Sequence, residues 1–252
     1  MAIKINVCLD VWGTGGAEIG YKRIMLKLPQ YDWAFTTEVD PTANLVIYAN
    51  NHRFYDAAKT LNIPTILSTT GPRSLNMPQP ADLKAVICSS KKAFEAATHS
   101  NKHMIYNGID FAWLALVKSI ECDLLYSPAR VGVGQQVEKA IQYAQQNNRH
   151  LTVLGARQHL AEDTYSVLKK KYPQVFWTGL LDPNQALRLM KGCKDYIVPT
   201  SVHGVSNAVI EAVAYGKNII NLGGVEVPAK EDIDINITAK KYEGLINEAL
   251  ST

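Results

Sequence analysis

The 252 residues are 47% hydrophobic and 19% charged, with a formal net charge of +3, a balance that excludes a disordered chain and favours a core-forming globular one. The positive charge is spread over both halves, which gives little support to nucleic-acid binding. Cys8, Cys88, Cys122 and Cys193 are scattered without a CxxC pair, so neither a disulfide framework nor a zinc site is indicated and a reducing cytosol fits best. There is also no charged-then-apolar leader and no apolar run near about 18 residues, so stable membrane insertion is not expected.

Strands and helices are predicted to alternate along the chain. Residues 3–9 read as a strand, 17–28 as a helix, and 33–39 and 45–49 as strands. A helix at 54–61, strands at 65–68 and 84–88, a helix at 90–98 and a short strand at 103–106 follow. Cys8 and Cys88 fall inside strands, where a cysteine usually serves as a small buried hydrophobe. Asn107-Gly108 is a turn signal, and a less clear segment around Trp113 comes next. The alternation resumes with a strand at 124–127, a helix at 135–146 and a strand at 151–154. A helix at about 161–171, a strand at 175–178, a helix at 184–191 and a strand at 196–198 lead to a helix at 207–215. A strand at 218–222 and a helix at about 240–250 close the chain. Short apolar strands between amphipathic helices imply parallel sheets covered on both faces. Some eleven strands are too many for one sheet of this length. Two doubly wound units joined near 108–122 are therefore expected, assigned as 1–112 and 113–252 and facing each other across a cleft.

Open parallel sheets bind ligands outside the carboxyl ends of their strands, and three motifs fall there. Gly13-Thr14-Gly15-Gly16-Ala17-Glu18 follows the first strand; Glu18 stands where a dinucleotide fingerprint needs its third glycine, so the loop is either a phosphate-approaching turn or a structural one. Arg130, in Ser127-Pro128-Ala129-Arg130, offers a donor fork for a diphosphate or is a surface arginine. The stretch from Pro199 to Glu211 runs from a strand through a loop containing Gly204 into a helix starting near Ser206 or Asn207. That arrangement leaves backbone N–H groups with the helix dipole behind them, suited to phosphate. Glu211, one turn in, can accept hydrogen bonds from a ribose; the plain alternative is an ordinary αβ unit with a solvated glutamate. Trp177, on the strand before Thr178-Gly179, reads as core or as a base platform. Asp232-Ile233-Asp234 matches a DxD triplet but reads as a solvated turn, since a metal site needs more ligands.

Together these residues resemble a retaining GT-B glycosyltransferase of the family 4 type, over nearly the whole chain. The resemblance rests on Gly15-Gly16-Ala17-Glu18, on Tyr106-Asn107-Gly108-Ile109-Asp110, on Arg130, on Phe176-Trp177-Thr178-Gly179, on Val198-Pro199-Thr200-Ser201 and on Glu211-Ala212-Val213-Ala214-Tyr215-Gly216. It implies two Rossmann-like domains and transfer of a sugar from a nucleotide-diphosphate sugar, UDP or GDP type, with retention and without a metal or other cofactor. The donor site implied comprises Gly15, Gly16, Arg130, Thr178, Gly204, Val205, Ser206, Asn207 and Glu211, with Glu211 on the ribose. His203, His52 and Glu18 are the candidate catalytic residues. The acceptor is left open among glycan, lipid, protein and nucleic acid.

Two departures from the family pattern stand out. His203 replaces the first acidic residue of the Glu-x7-Glu pair; an imidazole there either contacts a sugar hydroxyl or the leaving diphosphate, or simply caps the loop. Gln135 or Gln136 occupies the place of a phosphate-binding lysine, and Lys139 would substitute only with a reoriented helix. The strand end Tyr48-Ala49-Asn50-Asn51-His52 carries a displaced histidine, leaving His52 as the sugar-lining candidate. A non-catalytic nucleotide-sugar-binding module and a nucleotide-sugar epimerase of the same architecture are the alternatives, the latter drawing on His203, Glu18 and Asp10. Lys22, Arg23 and Lys27 beside Met25 and Leu26 are either the polar face of a packed helix or a peripheral contact for an anionic membrane or polymer.

Overall fold

The computed structural model describes residues 2–10, 16–49, 51–69, 77–127, 134–154, 162–179, 181–199 and 205–251. Among them the chain forms two compact units. The first comprises Met1–Asp110, His203–Asn207 and Pro228–Thr252; the second comprises Phe111–Val202 and Ala208–Val227.

The first unit is built on a six-stranded, wholly parallel sheet: β1 (Lys4–Cys8), β2 (Asp32–Thr36), β3 (Leu45–Tyr48), β4 (Thr65–Thr69), β5 (Ala85–Cys88) and β6 (Lys102–Met104), ordered β2-β1-β3-β4-β5-β6. The connecting helices are α1 (Gly16–Lys27), α2 (Arg53–Thr60) and α3 (Lys91–Ala96). The central strands are buried on both faces, which is why they read as continuous apolar runs instead of alternating ones. Ile5, Val7, Leu45, Ile47, Ile66 and Ile87 form one face, packed with Tyr21 and Ile24 of α1 and with Leu28 just after it. Cys8, Val46, Tyr48, Leu67, Val86 and Cys88 form the other, packed with Phe54, Tyr55 and Ala58 of α2 and Ala93 of α3. Both cysteines are thus core residues, as their positions inside strands predicted.

In the second unit α4 (Phe111–Leu116) fills the segment around Trp113 and leads into β7 (Cys122–Tyr126). Then come α5 (Gly134–Gln146), β8 (Leu151–Val153), α6 (Glu162–Lys171), β9 (Phe176–Trp177), α7 (Pro183–Gly192), β10 (Cys193–Val198), α8 (Asn207–Ala214) and β11 (Asn218–Asn221). Its five parallel strands are ordered β11-β10-β7-β8-β9. Asp182 caps α7, its carboxylate accepting from the Asn184 and Gln185 N–H groups, with Pro183 at the first helical position where a missing N–H costs nothing.

The C-terminal helix corrects the expected division at 112/113. Helix α9 (Ile235–Ser251) is longer than the predicted 240–250 and belongs to the first unit. Ile235, Ala239, Tyr242, Leu245, Ile246 and Ala249 form its apolar stripe, in the same core as Ile5, Tyr21 and Leu45. Each large side chain so buried is worth about 1.5–3 kcal/mol. The Asp232-Ile233-Asp234 segment is also more structured than a solvated turn. Glu231–Ile233 is one turn of 3-10 helix with Ile233 fully buried, Asp234 pairs with Ile109 in an isolated parallel bridge, and its carboxylate accepts from the Asn236 N–H at 2.7 Å to begin α9.

Candidate active site

Both sheets have a topological switch point, where successive connections leave in opposite directions and open a crevice at the carboxyl ends of two neighbouring strands. In the first sheet these strands are β1 and β3. Their ends bring Asp10, Asn51 and Arg53 together: Asn51 Nδ2 donates to Asp10 Oδ1 at 2.7 Å, and Arg53 Nη2 lies 3.6 Å from the same oxygen. His52 begins the turn into α2. Its ring stacks on Tyr55 with centroids 4.8 Å apart, and its Nε2 lies 3.9 Å from Asp56. Its Nδ1 is buried without a hydrogen-bond partner among the described residues. His52 is therefore held by stacking at the edge where the sequence placed it. Asp10 and Asn51 were the less visible members of this cluster, detectable only as polar residues immediately after apolar strands.

In the second sheet the switch point lies between β7 and β10. Tyr196 of β10 is fully buried there, and burial pushes its phenol up, with Tyr126 and Glu211 adding to the effect and the Ser127 backbone N–H opposing it. Burial and the Glu211 carboxylate likewise push Tyr215 up to about 12. Glu211, on α8, thus acts electrostatically on two tyrosines, Tyr196 of β10 and Tyr215. Gln136, one of the two residues expected where the family pattern has a lysine, accepts from the Tyr126 hydroxyl at 3.5 Å, and Lys139 is exposed. Arg130, His203, Gly204 and Gly15 lie outside the described residues. Val205 is buried, Ser206 half-buried, and Asn207 opens α8.

Thr178 belongs to the predicted donor set. It follows edge strand β9, separated from β10 by β7 and β8, and its hydroxyl contacts the Val153 and Gly179 carbonyls at 3.3 and 3.0 Å. Trp177 is a core residue, buried and donating Nε1–H to the Tyr172 carbonyl at 3.2 Å.

The Asn107-Gly108-Ile109-Asp110 segment is a structural junction of the first unit. Asn107 Nδ2 donates to Asn207 Oδ1 at 2.9 Å. A Cβ on Gly108 would lie 2.8 Å from Ile235 Cα and 2.9 Å from Thr238 Cβ, so only glycine lets α9 approach so closely. Ile109 exchanges backbone hydrogen bonds with Ile233 and Ile235, and Asp110 pairs with Lys27 of α1 at 2.8 Å. Gly16 is the first residue of α1, and Glu18 in its first turn pairs with Lys22. Among the described residues no group of three or more His, Cys, Asp or Glu side chains is arranged to hold a metal ion, and no helix is long and apolar enough to cross a membrane.

No protein-family model matches this chain, and no curated protein matches it by sequence. Solved structures match it by fold. A glycosyltransferase from Rickettsia africae ESF-5 superposes with a TM-score of 0.63 at 11% identity, over 98% of this chain and 90% of that one. OtsA in its apo form gives 0.59 at 8% identity, over 99% and 93%. The UDP-GlcNAc 2-epimerase of Methanocaldococcus jannaschii, in complex with UDP-GlcNAc and UDP, gives 0.54 at 12% identity, over 98% and 93%. The chain thus has a glycosyltransferase-like GT-B fold of two parallel-sheet α/β domains, a fold that also serves an epimerase.

Proposed function

We propose that this protein is a retaining glycosyltransferase that uses a nucleotide-diphosphate sugar. The observation that carries the reading is the carboxylate of Glu211 beside Tyr196 at the switch point of the second sheet. That is where this topology binds nucleotides, and a carboxylate there suits a ribose. The loops holding Arg130 and His203 follow the same two strands, β7 and β10, in sequence. The neighbour solved with UDP-GlcNAc and UDP supports a UDP-type donor, and GDP remains the other candidate.

On this reading Glu211 accepts the ribose hydroxyls. Arg130 and the backbone N–H groups at the start of α8 take the diphosphate, and those at Gly15 and Gly16 are the further donors that the resemblance implies. They neutralise the charge that grows on the leaving oxygen, which supplies the transition-state stabilisation. The acceptor hydroxyl bonds to the anomeric carbon on the face that the diphosphate leaves, and its proton passes to the departing phosphate oxygen. Guanidinium and helix dipole perform the neutralisation, so no metal is needed. His203 contacts the sugar or the leaving group, and His52 lines the sugar. Glu18 serves through its place in the first turn of α1, with its carboxylate already engaged by Lys22.

The test is a thermal-shift series with UDP-, GDP-, ADP- and dTDP-sugars against NAD, followed by product analysis with the stabilising donor. A ligand at about 100 times its Kd stabilises by roughly 2.7 kcal/mol. Transfer with retained anomeric configuration by NMR, unchanged by EDTA, is the expected result. The fold shared with the epimerase supports one second reading, and isomerisation of the sugar without an acceptor would establish it instead. Stabilisation without any turnover would indicate a binding module, and no stabilisation by any nucleotide sugar would overturn the donor reading.

A further inference from the structure

Cys122 and Cys193 stand some seventy residues apart in the sequence, with nothing local to pair them. The fold of the second unit makes them neighbours. Cys122 opens β7, Cys193 opens β10, and the two are direct register partners where these strands pair in parallel. Adjacent strands lie about 4.8 Å apart, inside the roughly 4.4–6.8 Å between Cα atoms that a disulfide spans. Both side chains also turn to one place, the last turn of α7. The Cys122 thiol donates to the Leu189 carbonyl at 3.7 Å, and the Cys193 thiol to the Met190 carbonyl at 3.2 Å. Lys217 reaches the same helix end, its ammonium donating to the Lys191 and Cys193 carbonyls at 2.6 and 2.7 Å.

The surroundings make the two thiols unlike. Cys193 is only 1% exposed, and its hydrogen bond to Cys122, together with burial, pushes its thiol well up. Cys122 is half-buried. The hydrogen bond from Cys193 holds the Cys122 thiol below its usual range, helped by Thr152 and the Lys217 ammonium and opposed by burial and Asp123. The buried sulfur keeps its proton and the accessible one sheds it, and the thiolate is the nucleophile. In the first sheet, by contrast, burial pushes Cys8 up to about 11 and raises Cys88 as well.

We propose that Cys122 and Cys193 form a dithiol that hydrogen peroxide oxidises, with Cys122 reacting first and Cys193 closing the disulfide. The Cys122 thiolate attacks the peroxide, so that an S–O bond forms while the O–O bond breaks. The departing hydroxide takes up the proton that Cys122 released and becomes water. The Cys193 sulfur then attacks the sulfenic acid. An S–S bond forms, the S–O bond breaks, and the Cys193 proton leaves with the hydroxide as a second water. The two sulfurs lose two electrons and the peroxide gains them. The new bond joins β7 to β10 at their amino-terminal ends, away from the crevice, so the inference does not depend on the transferase reading.

The experiment treats the whole chain with hydrogen peroxide near neutral pH, traps sulfenic acid with dimedone and free thiols with N-ethylmaleimide, and maps the peptides by mass spectrometry. A peptide carrying Cys122 joined to one carrying Cys193 of the same chain is expected, reversed by dithiothreitol, with Cys8 and Cys88 recovered as maleimide adducts. Iodoacetamide should alkylate Cys122 more than about tenfold faster than Cys8. With Cys8 near 11 and Cys122 below the usual 9.0, their thiolate fractions near neutral pH differ by more than about a hundredfold, and the lower nucleophilicity of the weaker base offsets part of that. Cys193→Ala should accumulate the dimedone adduct on Cys122, and Cys122→Ser should leave Cys193 unmodified. Thiols that only cap α7 would do neither. A dimedone adduct on wild-type Cys122 without the joined peptide, a Cys122 link between two chains, or alkylation of Cys122 no faster than that of Cys8 would overturn the proposal. The wild-type map alone decides it should either variant fail to fold.

Discussion

Arg149 ties together the amino-terminal ends of the strands that form the second switch point. Its Nε and Nη2 donate to both oxygens of Asp123 on β7 at 2.8 Å, and Nη2 also reaches Asp195 on β10 at 2.7 Å. The His150 N–H adds a third donor to Asp123 at 3.0 Å. The bidentate guanidinium, with this N–H, holds the Asp123 carboxyl down from 3.8 to about 2 against the opposing effect of burial. Its side chain is only 19% exposed, so solvent screening is modest. At roughly 1.36 kcal/mol per pH unit the depression is worth about 2.5 kcal/mol. The folded value lies below the unfolded one, so this stability is fully present above the unfolded value and fades as pH falls toward about 2. Asp123→Asn should therefore cost about 2.5 kcal/mol near pH 7 and about half as much near pH 3. Urea unfolding followed by tryptophan fluorescence is the measurement, with Trp113 and Trp177 in the second unit and Trp12 and Trp33 in the first. An equal loss at both pH values would show that packing and not charge is at stake. No loss near pH 7 would show that the desolvation of the three charges cancels their attraction.

Glu211→Ala should weaken nucleotide binding by about 1–3 kcal/mol, the cost of removing a charged acceptor, with calorimetric titration as the measurement; unchanged affinity would move the ribose elsewhere. Gly108→Ala forces a Cβ against the backbone of Ile235 and should destabilise the first unit by about 1–3 kcal/mol. A wild-type melting curve for that variant would refute the close approach. Gly192→Ala should be worse, because its Cβ would fall 2.0 Å from the Ile120 carbonyl oxygen, a backbone atom held by the segment crossing the end of α7. Soluble yield and melting temperature compare the two, and a milder effect for Gly192→Ala would refute that ranking.

Alternation of strand and helix was legible in the sequence because the central strands are buried on both faces. Leu45–Tyr48 and Ala85–Cys88 have no polar position to blur the signal, and the loops between them carry glycine or polar residues. The destination of the last helix was not legible. The stripe of Ile235, Ala239, Tyr242 and Ile246 announces an apolar face, but an apolar face fits either sheet equally well. What decides it is the backbone exchange between Ile109 and the 233–235 segment, a contact between residues more than a hundred positions apart that no local pattern encodes.

The candidate site shows the same division between local and non-local information. Glu211 and His52 are nominated because each stands just after an apolar run, which is a local property. Thr178 satisfies the same rule at the end of β9, and strand order, not strand succession, sets how far that end lies from the crevice between β7 and β10. The order β11-β10-β7-β8-β9 puts the end of β9 two strands beyond the switch point, while the ends of β7 and β10, separated by some seventy residues, become neighbours. Asp10 and Asn51 gain their significance in the same way: β1 and β3 are adjacent only because β2 was sent to the outer edge. A residue's chemistry can therefore be nominated from the sequence, but membership of a site follows from the crossovers, and the crossovers are set by which apolar faces each sheet must cover.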